Sequence, residues 1–163
     1  MTRYWRGRLA ATVAGGVAAS LAMDLVQDGF AALFERGRNE GDLDEEVEGI
    51  AGVVRVIGHV VPGLVGERRT RAAARAIHYL FGVGFAAAYV AGNGRASWLG
   101  TSGGVAYGTA LFLVSDRVLI PVLKLGRSWD RYSRAERANA LLSHVVYGVV
   151  VDLARRRYAS NAA

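Results

Sequence analysis

The sequence predicts an all-α fold: an integral membrane four-helix bundle built from two pseudo-symmetric helical hairpins, plus a short amphipathic helix between the first two spans. Three observations carry that expectation. Of the 163 residues, 52% are hydrophobic and only two are proline. The apolar residues gather in four runs of low charge, each close to the roughly 20 residues a helix needs to cross the hydrocarbon core. The net charge of +6 comes almost wholly from arginine, Lys124 being the only lysine, and arginines flank the runs. Arg3, Arg6 and Arg8 precede the first run and Arg155, Arg156 and Arg157 follow the last, where long basic side chains reach the headgroup layer.

The spans are expected at 9–34, 72–91, 98–120 and 138–154, within a single membrane domain over 1–163. The first carries Asp24 and Asp28. Its basic start and apolar run also fit a secretory signal, but the helical pattern continues to Phe34 and no clean A-x-A cleavage site follows. The second span carries Arg75 near its start and His78 inside. The third is interrupted by Ser115, Asp116 and Arg117, and Pro121 marks a kink or a stop. The fourth carries His144 and Asp152, and Ser133 with Glu136 forms an S-x-x-E capping box ahead of it. Trp98, Tyr4 and Trp5 stand where interfacial aromatics are expected. Between the first two spans, 35–71 forms an acidic loop that leads into an amphipathic helix at 47–61, where Ile50, Val53, Val54, Ile57 and Val61 recur at helical spacing. Arg55 and His59 lie off that stripe.

Composition also excludes chemistries. Cysteine is absent, so neither disulfides nor thiolate metal sites exist and the redox compartment stays open. The arginines form no stripe with interleaved aromatics, so nucleic acid is not an expected partner. No nucleophile–base motif, phosphate loop or G-x-S-x-G is present, which weighs against an enzyme. The expected surroundings are the lipid bilayer, with a homo-oligomer or a larger membrane complex left open. An even number of spans places both termini on one side, and the arginines at both ends favour the cytoplasmic side.

An internal repeat is the most informative feature. Shifted by 66 positions, "RAAARAIHYLFGV" lies over "RANALLSHVVYGV", aligning His78 with His144 and Gly82 with Gly148. Shifted by 88, "GGVAASLAMDLVQD" lies over "GGVAYGTALFLVSD", aligning Asp28 with Asp116. Two hairpins that each return to their starting side make a parallel repeat, related by an axis along the membrane normal. Four-residue spacing puts Thr12, Gly16, Ser20, Asp24 and Asp28 on one side of the first helix. Gly100, Gly104, Gly108, Phe112 and Asp116 follow the same rule in the third. Gly82 and Gly148 sit one turn beyond the histidines. Such small-xxx-small stripes let helix backbones approach closely.

His78, His144, Asp28 and Asp116, with Asp24 beside them, therefore face neighbouring helices and fall at similar depth. Four uses of that cluster stay open. Polar packing between helices leads. A metal such as Zn or Fe would take His78 and His144 with the carboxylates, although no E-x-x-H motif supports it. Haem b would sit between the two histidines, where the stripes instead call for tight packing. A proton-linked role would use imidazole beside carboxylate. No cofactor is predicted outright, and a soluble helical protein remains the least favoured alternative.

These residues resemble a known family. "HYLFGVGFAAAYV", "WLGTSGGVAYGTALFLVSD", the proline of "VLIP", "YSRAER" and "LLSHVVYGVVVDLARR" look like the YagU-like bacterial inner-membrane proteins, which carry domain of unknown function 1440. The resemblance covers roughly 72–157 and, more weakly, "AGGVAASLAMD" of the first helix. It implies a multi-pass protein of the bacterial inner membrane and supplies no reaction. Relatives can carry histidine where this chain has Ser115-Asp116, so no fixed ligand role is implied there.

Overall fold

The computed structural model describes residues 2–34, 67–92, 102–122 and 132–160. Among them all regular structure is helical. Helix α1 is Thr2–Phe34 and α2 is Glu67–Gly92. Helix α3 is Val105–Val114 and runs on through a π-helical turn, Ser115–Leu119, into Ile120–Val122. Helix α4 is Arg134–Ser160. The amphipathic helix expected at 47–61, the acidic stretch before it, Trp98 and Gly100 lie outside the described residues.

The helix ends follow local chemistry rather than hydropathy. α1 is helical from Thr2, well before the apolar run starts at Leu9. α3 starts only after a turn in which Gly103 and Gly104 take φ of 61° and 86°, a left-handed backbone that side chains with a Cβ rarely adopt. Gly104 has no side chain to cap the helix, and Ser102 does it instead, its hydroxyl accepting from the Ala106 amide at 3.2 Å. At α4 the capping box forms as the spacing predicts: Ser133 N–H donates to the Glu136 carboxylate, and Glu136 N–H donates to Ser133 Oγ at 3.1 Å.

Ser115, Asp116 and Arg117 lie in the widened turn of the third helix, and Pro121 lies in the short α-helical segment that follows it. The helix continues to Val122 by widening. A proline ring collides with the carbonyl four residues back and leaves an acceptor unused. The π-helical turn just upstream relieves that collision. The Ser115 hydroxyl also bonds back to the Leu111 carbonyl at 2.7 Å, a contact that bends helices.

Packing follows the small-residue stripes. α1 lies along both α4 and α2, α3 lies against α4, and α2 touches α4 only lightly. A methyl group on Gly16 would come within 2.7 Å of Val83 Cα, and one on Gly82 would overlap Ser20 Oγ. In the second hairpin, a methyl on Gly104 would overlap the Gly148 carbonyl, and one on Gly108 would lie 2.7 Å from Val145 Cα. Gly16 and Gly82 correspond to Gly104 and Gly148 under the two shifts found in the sequence, so the same crossing is built twice. Tyrosines then tie the hairpins together. The Tyr147 hydroxyl donates to the Gly82 carbonyl, and that of Tyr107 donates to the Phe85 carbonyl at 2.6 Å.

The described bundle buries polar side chains within an apolar core and exposes many large apolar ones. Ser20, Ser143, His144 and Asp152 are buried, in company with Ala19, Met23, Ala86, Leu111, Val151 and glycines. Leu9, Val13, Val17, Leu21 and Leu25, spaced four apart, form an exposed ridge along α1. Leu25 is 72% exposed and Leu80 on α2 70% exposed, whereas Ser20 and Asp152 are each 1% exposed.

Candidate functional site: two histidine–aspartate pairs

The first pair joins α1 to α2. Nε2 of His78 lies 3.2 Å from Oδ1 of Asp24, enclosed by protein and off the line of a hydrogen bond. The other carboxylate oxygen of Asp24 accepts a hydrogen bond from the Tyr79 hydroxyl at 2.9 Å. The second pair joins α3 to α4. Nε2 of His144 faces Oδ1 of Asp116 at 3.8 Å, and Nδ1 of His144 lies 2.8 Å from the Ala140 carbonyl. The Phe112 ring meets the His144 ring edge-on, with centroids 5.8 Å apart. Each histidine thus finds its carboxylate within its own hairpin.

The structure places an aspartate beside each repeated histidine, but for His78 it is not the one the repeat aligns. The repeat aligns Asp28 with Asp116, yet Asp28 is exposed in the structure, and Asp24, one turn earlier, meets His78. Phe112 occupies the repeat position of Asp24. The two carboxylates are therefore one helical turn, about 5.4 Å, out of register between the hairpins. Side-chain direction explains how both reach. On these antiparallel helices, aspartate and histidine each lean towards their own helix N-terminus. In the second hairpin that brings Asp116 back towards Phe112 and His144 towards Ala140, so they approach from opposite ends. The widened turn of α3 starts at Ser115 and includes Asp116.

Of the predicted packing residues, Gly16, Ser20, Gly82, Gly104, Gly108 and Gly148 are all buried at the two crossings. Among the described residues, no three His, Asp or Glu side chains gather as a metal would require. Each pair supplies one imidazole and one carboxylate, which is short of the three protein ligands of a catalytic zinc.

A second polar site lies about 12 Å further along α4, since Asp152 follows His144 by two turns of helix. The Asp152 carboxylate accepts from the Tyr89 hydroxyl at 2.8 Å, from Arg155 at 2.8 and 3.0 Å, and from Arg156 at 2.7 Å. Nearby on the same side of the bundle, Arg8 donates to the Val90 carbonyl at 3.0 Å. Asp152 stands on the α4 stripe predicted from sequence but was not grouped with the other acids. Its signal was local: Arg155 and Arg156 follow at three and four residues, where helical ion pairs form. The role of Tyr89, Tyr107 and Tyr147 had no such signal, because a tyrosine bonding a distant carbonyl leaves no spacing to read.

These features define a helical bundle with small-residue crossings and paired histidine–aspartate contacts between helices. Residues 52–153 match the family described as Protein of unknown function (DUF1440), and the chain belongs to that family. The match takes in α2, α3, most of α4 and both histidines. It starts after α1, so the weaker likeness noted in the first helix lies outside it. No curated protein and no solved structure matches the chain. Among the described residues, one helix, over Gly7–Phe34, is long and apolar enough to cross a membrane.

Proposed function

We propose that this chain is a multi-pass protein of the bacterial inner membrane, with α1 to α4 as its four spans and both termini in the cytoplasm. Its role is structural or accessory rather than catalytic, as a compact helical unit within the bilayer, alone or in a larger assembly. One observation carries the reading: many large apolar side chains face outward while Ser20, Ser143, His144 and Asp152 are buried. In water, an exposed ridge of leucine and valine along α1, with further exposed apolar side chains on α2, α3 and α4, would be a large apolar patch without a partner. In lipid, the same ridges lie in their preferred solvent, and buried serine, histidine and aspartate pair with one another.

The histidine–aspartate pairs then act as polar contacts within each hairpin, and the tyrosine bonds join hairpin to hairpin. The likeness to YagU-like inner-membrane proteins supports the location. Arginines at Arg3, Arg6, Arg8 and Arg155 to Arg157 support cytoplasmic termini.

Washing membranes of an expressing cell with alkaline carbonate tests the location. An integral protein stays in the membrane fraction and leaves it only with detergent. Release into the supernatant would refute the reading.

A further inference from the structure

The His144 ring is fixed on one side. Its Nδ1 sits 2.8 Å from the Ala140 carbonyl, which can only accept, so Nδ1 carries a hydrogen. Nε2 is then the nitrogen that gains or loses a proton, and it faces the Asp116 carboxylate at 3.8 Å. With a neutral ring and an ionised carboxylate, two sets of lone pairs would confront each other among Phe112, Gly108 and the backbone. One proton on either partner removes that conflict, as an imidazolium beside a carboxylate or a carboxylic acid beside an imine nitrogen. In the first hairpin, Nε2 of His78 likewise faces a carboxylate, enclosed 3.2 Å from Asp24.

We propose that the two histidine–aspartate pairs form a proton-binding site within the bundle, each pair taking up one proton. The surrounding groups are few. α1 presents Asp24, with exposed Asp28 one turn on; α2 presents Tyr79 and, a turn before His78, Arg75. On α3, exposed Arg117 follows Asp116, and on α4 Arg137 precedes His144 by two turns. A carboxylate is thus the nearest charge to each imidazole, with cations further out towards the same end of the bundle. The proposal rests on the bundle being the membrane unit described above, but its test is independent of that.

The full chain, labelled with 15N-histidine and held in detergent micelles, is titrated by NMR, with the signals assigned from His78→Gln and His144→Gln. The proposal expects His78 and His144 each to take up a proton as the pH is lowered, each ring responding to its own aspartate. It also expects neutral His144 to be the Nδ1–H tautomer, a result read from the wild-type spectrum alone. Asp116→Asn should move the His144 step, and Asp28→Asn should move neither. An Nε2–H tautomer for His144, or two rings that keep one protonation state throughout, would overturn the proposal. Loss of the protein from the membrane in the carbonate wash would instead strike at the location and leave this titration to be judged by itself.

Discussion

Asp152 is the most heavily bonded buried group in the described chain, and its environment shows what a charge needs inside such a bundle. Two guanidinium groups and one phenol satisfy its oxygens. Replacing it with alanine leaves the Tyr89 hydroxyl without its acceptor and Arg155 without its counter-charge, a loss on the order of 1–3 kcal/mol. Asp152→Asn keeps an acceptor for Tyr89 and should cost less. Thermal unfolding in detergent ranks the two variants, and equal melting temperatures for both and for wild type would contradict the assignment. The two candidate acids of α1 differ in the same way. Asp24→Ala removes the partner of both Tyr79 and His78 and should destabilise by about 1 kcal/mol or more. Asp28→Ala, on the exposed side, should stay within about 0.5 kcal/mol of wild type. Sequence alone ranked these two together because four-residue spacing puts both on one stripe. The one-turn offset of the carboxylates depends on where the glycines cross and which way each side chain leans.

Among the elements, the helix crossings were the most legible feature, because a small residue every fourth position has one physical use at a tight interface. Gly16 against Gly82, and Gly104 against Gly148, meet as that pattern requires. Overpacking there should cost roughly 1–3 kcal/mol: Gly148→Leu pushes side chain into the backbone of Gly104 and Gly108. Glycines off the crossings behave differently. Gly29 and Gly84 have nothing within 4 Å of a new methyl group and lie inside helices, so alanine at either should stabilise by about 0.5–1 kcal/mol. Melting curves of Gly148→Leu and Gly84→Ala should therefore move in opposite directions. The widened turn of α3 was not legible: serine, aspartate and arginine read only as a break in the apolar run. The π-helical turn that lets the helix pass them depends on backbone geometry that no residue pattern announces.

At the scale of the whole molecule, duplication and an outward-facing apolar surface work together. Each hairpin brings one glycine crossing and one histidine–aspartate contact, and α1 against α4 joins the two hairpins. Gly15 lies under Ala154 at that junction, where an added methyl would come 2.8 Å from Ala154 Cβ. The absence of native cysteine makes the assembly easy to probe, because every introduced thiol reports alone. Hydropathy conveyed the number of helices and the small-residue stripes conveyed their faces. The tyrosine bonds between hairpins, and hence how the halves dock, stayed hidden.

The central claim is that lipid, not water, covers the outward leucines. Single cysteines at Leu25, Leu80 and Leu142, each on the exposed surface of the chain, test it directly in native membrane vesicles. The account predicts that a membrane-impermeant maleimide leaves all three unmodified in vesicles opened to give it access to both faces, and modifies them once detergent and denaturant are added. Ready modification of these positions in the intact membrane fraction, or of the protein in the soluble fraction, would contradict it.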